Sequence, residues 1–95
     1  MYKRKNNIQL YSGNGNNNLN LREMLRLSIC GELEAINQYE RYARITDNFE
    51  AQELFLEVAN DEKHHVAEFL ALLAELDEEL EEELERYLRD ILDQL

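Results

Sequence analysis

Apolar residues recur along residues 21–45 in alternating steps of four and three, the spacing of a helix with one buried stripe. The stripe consists of Leu25, Ile29, position 32, Ile36, Tyr39 and Ala43. Asn20 precedes this stretch and Glu23 follows three residues later, a pair that resembles a capping box. The pattern therefore predicts a first helix over about Leu21 to Ile45.

A second stripe with the same alternation covers residues 51–76. Its positions are Ala51, Phe55, Val58, 62, 65, Phe69, Leu72 and Leu76. Between the two stripes, Thr46-Asp47-Asn48 breaks the pattern, and Asp47 with Glu50 offers a helix N-cap. We predict a second helix over about Asn48 to Leu76, antiparallel to the first because the turn is so short.

Two less regular segments flank this helical hairpin. Residues 1–20 are polar, contain seven Asn, and are predicted to form a flexible arm. Residues 77–95 begin with a run of acidic side chains but keep an apolar stripe, which predicts a C-terminal helix with one adhesive face. That stripe consists of Leu80, Leu84, Leu88, Ile91 and Leu95. The predicted organisation is an arm over residues 1–20 and one helical domain over residues 21–95.

Three ionisable residues interrupt the two apolar stripes where the repeat favours Leu or Ile. They are Glu32, Glu62 and His65. Glu32 and Glu62 are each 15 residues from Asp47 in the turn, so an antiparallel hairpin places them at the same height. The same register aligns Tyr39 with Phe55. The three polar side chains are therefore expected in one layer of an otherwise dry core.

This polar layer lacks a basic partner in either stripe, since Lys63 is about 100° around the helix from Glu62. Burying an unpaired carboxylate costs several kcal/mol or more. In the absence of a basic side chain, a bound cation is the remaining candidate to compensate the charge. Glu62-x-x-His65 puts a carboxylate and an imidazole on one helix face, and such ligands suit iron, manganese or zinc. A buried hydrogen-bond network among the same side chains is the alternative interpretation.

One chain supplies only half of a known kind of metal site. Di-metal sites in four-helix bundles take one Glu from each of two helices and a Glu-x-x-His from each of the other two. A two-fold dimer of this chain offers six such ligands around two metal ions and also buries both stripes. We therefore predict an all-α fold, an antiparallel helical hairpin plus a C-terminal helix, that forms a four-helix bundle only on dimerisation.

Net charge and cysteine content narrow the range of partners. The formal net charge of −11 repels nucleic acid and anionic membranes and attracts cations. No apolar run reaches the roughly 18 to 20 residues that a membrane span needs. The one cysteine, Cys30, is adjacent to the first stripe and is predicted to be a buried thiol. A single cysteine favours a reducing, intracellular setting.

The residues around the predicted site resemble the encapsulated ferritins. The resemblance covers about residues 21–90 and is carried by two motifs at the family's separation, Glu32-Leu33-Glu34-Ala35-Ile36-Asn37-Gln38-Tyr39 and Asp61-Glu62-Lys63-His64-His65. It implies a half-ferritin helical domain whose ferritin-like bundle is completed by a second copy. It further implies a ring of dimers, a decamer built as a pentamer of dimers, with a ferroxidase site at each dimer interface.

The same resemblance implies roles for individual residues. The iron ligands, holding two iron ions per dimer, would be Glu32, Glu62 and His65. Tyr39 would be a neighbouring residue of the catalytic centre, and Glu34 would belong to an acidic access path. Two positions depart from the family pattern on that path. Gly31 stands where the family often has another acid, and Gln38 stands where it often has Trp.

The resemblance thus implies a ferroxidase that converts iron(II) to iron(III) and feeds iron storage inside an encapsulin nanocompartment in the cytoplasm. It also implies the encapsulin shell protein as a partner, besides further copies of the chain, while the net charge predicts no binding of nucleic acid or membrane. Two alternatives stay open: another di-metal oxidase or peroxidase using manganese or iron, and a structural helical oligomer with a buried polar layer. A structural layer should assemble equally well in chelator, whereas a metal site should not.

Overall fold

The computed structural model describes residues 20–95, and within that range the chain forms three α-helices and no strand. Helix α1 spans Leu21–Ile45, α2 spans Phe49–Leu76 and α3 spans Glu78–Asp93. The predicted all-α hairpin followed by a C-terminal helix is confirmed. The predicted arm lies, apart from Asn20, outside the described residues, so its flexibility stays a prediction.

Helix α1 begins at the predicted cap. The Asn20 side-chain oxygen Oδ1 accepts a hydrogen bond from the Glu23 backbone N–H at 2.9 Å, which satisfies one of the free donors of the first turn. At the other end, Thr46 adopts an extended backbone with φ −81° and ψ 142°, and the helix ends there. Both boundaries agree with those predicted from the apolar stripe.

The turn between α1 and α2 is capped by Asn48 and not by Asp47, so the predicted Asp47 cap is wrong. Asn48 Oδ1 accepts from the Ala51 backbone N–H at 2.8 Å. The Thr46 hydroxyl accepts from the Asn48 N–H at 3.2 Å and holds Asn48 as the last extended residue. Asp and Asn are equally good N-caps, and this local hydrogen bond decides between the two neighbours.

The two long helices pair in the predicted register. The Tyr39 ring stacks on the Phe55 ring with 6.1 Å between centroids. Nearer the turn, the Gln52 side-chain amide donates to the Ala43 carbonyl oxygen at 2.9 Å. Both contacts join residues that are nearly equidistant from the turn, so the same alignment brings Glu32 level with Glu62.

Helix α3 begins immediately after α2, with Asp77 serving both helices. Asp77 Oδ1 accepts from the Leu80 N–H at 3.2 Å and caps α3, while the Asp77 N–H donates to the Ala74 carbonyl oxygen at 3.4 Å. Three acidic residues occupy the first turn of α3, where the helix dipole stabilises negative charge. Asp77 also lies 3.9 Å from Arg26, which links the start of α3 to α1.

The core of the single chain is small. Among residues 20–95 the buried apolar side chains are Leu25, Ala43, Ala59 and Leu73. Cys30 is exposed, which corrects the predicted buried thiol, because it lies about 200° around α1 from Glu32 and faces away from α2. Within the described range no helix has the length and apolar run that crossing a membrane requires.

Replacing Leu25 by Ala should lower the free energy of unfolding by about 2 to 4 kcal/mol, since a buried leucine leaves a cavity when it is truncated. Urea denaturation in chelator, at fixed protein concentration, measures the change. Leu27 on the same helix is more than half exposed, and Leu27→Ala should change the same quantity by less than about 0.5 kcal/mol. Equal losses of unfolding free energy in both variants would contradict the assignment of Leu25, and not Leu27, to the core.

Candidate metal centre

Three ionisable side chains converge at mid-height between α1 and α2. Glu32 comes from α1, and Glu62 and His65 come from α2 one helical turn apart. One ligand atom from each residue lies within 4.8 Å of the other two. His65 Nδ1 is 2.9 Å from Glu62 Oε1 and 3.5 Å from Glu32 Oε1. The structure therefore brings together the three residues selected from the sequence, while their role as metal ligands stays a prediction.

The cluster is only partly enclosed by one chain. The side chains of Glu32 and Glu62 are 23% and 19% exposed, and that of His65 is 47% exposed. The expectation of a dry polar layer is therefore wrong for the isolated chain. Each helix of a pair shields only one face of the other. The side of the cluster that carries His65 therefore faces solvent in the single chain.

One oxygen of Glu32 accepts no hydrogen bond from any described residue. Glu32 Oε1 is buried, and none of the described residues forms a hydrogen bond with it. Its approach to His65 is an ionic contact at 3.5 Å rather than a short hydrogen bond. Natural proteins rarely leave a buried carboxylate oxygen unsatisfied, so this atom suggests that a further group belongs at the site.

The residues present fit a transition-metal ion. Oxygen and nitrogen ligands lie about 2 Å from such an ion, so ligand atoms on one ion are at most about 4 Å apart. The spread of 4.8 Å within the cluster needs only small side-chain adjustments to match. Two carboxylates and one imidazole are also a ligand set that iron, manganese and zinc accept.

The three clustered side chains shift one another's pKa values. Hydrogen bonding to Glu62, with partial burial, raises the pKa of Glu32 above its ordinary value. The same interaction lowers the pKa of Glu62, while hydrogen bonding to Glu62 raises the pKa of His65. The two carboxylates are therefore shifted in opposite directions, as expected for neighbouring acids that share hydrogen bonds with one imidazole.

The lysine next to the cluster is engaged elsewhere. Lys63 Nζ lies 3.1 Å from Glu40 Oε2, in an ion pair that joins α2 to α1. This ion pair was not predicted from the sequence, because Lys63 is level with Gly31, nine residues from Glu40. Long helical side chains lean toward the N-terminus of their own helix, so in antiparallel helices they lean toward each other. This side-chain direction is the feature from which the Lys63–Glu40 ion pair could have been predicted.

Tyr39 and Glu34 lie apart from the three clustered residues. Tyr39 is two helical turns from Glu32, about 10 Å along the axis, and its ring contacts Phe55 and Tyr42. No hydrogen bond joins its hydroxyl to the cluster within residues 20–95. Glu34 is exposed and about 200° around α1 from Glu32. The catalytic role of Tyr39 and the access role of Glu34 both stay predictions.

An apolar stripe continues above and below the open side of the cluster. Its members lie 7 and 11 residues from His65 in both directions, and such separations return to the same helix face. They are Leu54, Val58, Leu72 and Leu76. Leu54 is 55% exposed and Leu76 is 41% exposed, so the hairpin alone leaves this surface uncovered. The cluster of Glu32, Glu62 and His65 thus lies in the middle of an incompletely buried apolar face.

Comparison with known proteins agrees with this architecture. The rubrerythrin family profile matches residues 23–93. A crystal structure of the encapsulated ferritin domain from Pyrococcus furiosus is similar at 44% identity and a TM-score of 0.70, covering 77% of this chain and 74% of that chain. The chain belongs to the rubrerythrin family, among the encapsulated ferritins. The family resemblance and the fold predicted from it are therefore confirmed.

Three curated relatives are similar to this encapsulated ferritin over shorter segments. The ferritin-like-encapsulin shell fusion protein of Pyrococcus furiosus is 51% identical over 59 residues, 62% of this chain and 17% of that protein. The encapsulin nanocompartment cargo proteins EncB and EncC of Myxococcus xanthus are 45% identical over 53 residues and 41% identical over 59 residues. These cover 56% and 62% of this chain, and 34% and 45% of the relatives. The chain therefore spans less than half the length of the curated relatives it matches.

The polar layer should lower the stability of the metal-free encapsulated ferritin. Glu32 occupies a position that suits Leu, and replacing half-buried charged groups by apolar ones commonly stabilises a fold by about 0.5 to 2 kcal/mol. Glu32→Leu should therefore raise the urea midpoint in chelator. Glu34→Leu, on the exposed face of the same helix, should leave it nearly unchanged. A lower midpoint for Glu32→Leu would mean that Glu32 holds the fold together without metal.

Proposed function

We propose that this protein is a ferroxidase whose substrate is iron(II) and whose catalytic centre is shared between two copies of the chain. The observation that carries the proposal is the buried Oε1 of Glu32, which accepts no hydrogen bond from any described residue and lies beside Glu62 and His65. An ion that accepts all three groups would satisfy that oxygen and neutralise the paired carboxylates.

The sharing of the centre follows from its incompleteness. One chain offers three ligand residues and leaves them open on one side. A second copy, related by a two-fold axis across the apolar stripe around His65, adds the same three residues from the opposite side. Six ligand residues around two ions are the set that di-metal helix bundles use. The same contact also buries the exposed Leu54 and Leu76.

In the proposed reaction, two iron(II) ions are oxidised to two iron(III) ions for each dioxygen. Each iron gives up one electron, and dioxygen takes both together with two protons to become hydrogen peroxide. Glu32, Glu62 and His65 of each chain would hold the two iron ions. The carboxylates offset the growing positive charge of the iron, and the apolar layers of Ile29, Ile36 and Val58 limit access of water.

The relatives support a setting for this activity. Two of them are described as encapsulin nanocompartment cargo proteins and one as a ferritin-like-encapsulin shell fusion. We propose by analogy that this protein works inside an encapsulin nanocompartment in the cytoplasm and passes iron(III) to a store there. We further propose that its dimers assemble into a ring, a decamer of five dimers, as the resemblance to encapsulated ferritins implies.

Glu32→Ala and His65→Ala should each abolish rapid iron(II) oxidation, because each removes a ligand from both halves of the centre. Stopped-flow absorbance of iron(III) formation in air-saturated buffer is the measurement. His64→Ala is the matched control, since His64 is the neighbouring residue but is exposed, and its side chain lies 3.6 Å from Glu68 rather than among the three clustered residues. The proposal fails if either ligand variant oxidises iron at the unsubstituted rate.

Leu54→Lys should prevent pairing and remove the oxidase activity together. It places a charge on the apolar stripe about three turns from His65 without touching any ligand residue. Analytical ultracentrifugation with iron(II) under nitrogen measures the pairing. Leu27→Lys is the control, because Leu27 is similarly exposed but lies on the opposite side of the hairpin. Full activity in a monomeric Leu54→Lys protein would contradict a shared centre.

A further inference from the structure

Gly31 lies in the middle of α1, where nothing in the described part of the chain requires a glycine. Glycine is the poorest helix former after proline, because it loses the most backbone freedom on folding. The backbone dihedral φ of Gly31 is not positive, so any residue could adopt this conformation. A Cβ atom built at this position would meet no described atom within 4 Å outside its own stretch of helix. The reason for this glycine therefore lies outside the single chain.

Gly31 is on the same side of the hairpin as His65. The Lys63–Glu40 ion pair joins the two helices on the other side. Gly31 is nine residues from Glu40, which is about 180° around α1. His65 is two residues from Lys63, which is about 200° around α2. The missing side chain is therefore on the open side of the cluster, next to Glu32 along α1.

The open side of α1 is lowest at the height of the cluster. Met24 and Tyr42, which are 7 and 11 residues from Gly31, share its helix face and are large and half-buried. The positions that neighbour Gly31 along this side are occupied by Ser28 and Ala35, both of them small. On α2, the same side carries the larger side chains of the apolar stripe. The surface is therefore shaped to admit another helix beside the cluster.

A metal centre shared between two chains demands a close approach at this height. Ligand atoms on one ion are at most about 4 Å apart, so the chains that supply them are held at a short, fixed distance. The axes of packed helices are about 8 to 10 Å apart, depending on the side chains at the contact. Position 31 is about 1.5 Å from Glu32 along the helix axis. A side chain there would act directly on the spacing at the ligands.

We infer that Gly31 sets the spacing of the two copies at the shared centre: its missing side chain lets a helix of the second copy approach α1 closely enough for Glu32, Glu62 and His65 of both copies to hold the same pair of ions. This inference rests on the proposed function. It adds a positioning residue that touches neither metal nor substrate. The poor helix propensity of Gly31 in the single chain is a consequence of its role in the pair.

Two substitutions of Gly31 separate side-chain bulk from helix propensity. Alanine and leucine are both strong helix formers, so Gly31→Ala and Gly31→Leu should each raise the urea midpoint of the metal-free protein in chelator. Only leucine adds a large side chain. Analytical ultracentrifugation with iron(II) under nitrogen should show pairing weakened by about tenfold or more in Gly31→Leu, the usual scale of overpacking. Gly31→Ala should stay closer to the unsubstituted protein.

The opposite signs distinguish a positioning role from a purely structural one, which would move the urea midpoint and the pairing in the same direction. Cys30→Leu is the matched control, because Cys30 is the neighbouring residue, is exposed and lies about 100° around α1 from Gly31. This variant should pair as tightly as the unsubstituted protein.

Three outcomes would overturn the inference. Gly31→Leu that pairs as tightly as Cys30→Leu would do so and leave the proposed function standing. Gly31→Leu that pairs normally but oxidises iron(II) slowly would also do so, because position 31 would then control access and not spacing. If the unsubstituted protein itself stays monomeric with iron(II), the proposed shared centre fails and the inference falls with it.

Discussion

The structure depends on one constraint: two carboxylates and an imidazole are held at the same height between two antiparallel helices whose stripes are otherwise apolar. The height is fixed by the register of the hairpin, in which Tyr39 stacks on Phe55. A shift by one residue would rotate Glu62 by about 100° away from Glu32. The caps and the short turn therefore fix the position of the three-residue cluster as well as the fold.

The same constraint explains why one chain is not enough. Only four apolar side chains of residues 20–95 are buried, and the stripe around His65 stays open. An apolar residue in place of Glu32 should stabilise the isolated hairpin but would remove a proposed metal ligand. A second copy that covered the stripe would complete both the core and the proposed ligand set.

Much of the fold follows from residue patterns. Alternating steps of four and three predicted α1 at its observed bounds and α2 within one residue, and mirrored distances from the turn predicted the approach of Glu32, Glu62 and His65. The errors are local. Asp47 and Asn48 are equivalent caps until the Thr46 hydroxyl is placed, and the Lys63–Glu40 pair depends on side-chain lean rather than on height. The solvent exposure of the cluster depends on how many helices surround it. The residue pattern of one chain does not give that number.

The central claim is that two copies share a di-iron centre. Native mass spectrometry during an anaerobic titration of iron(II) into metal-free protein tests it most directly, because the mass reports chains and metal ions together. The account predicts two iron ions per pair of chains, with pairs or multiples of pairs forming as iron is added. An unchanged oligomer that binds no iron at that ratio would contradict it and leave the polar layer a structural feature.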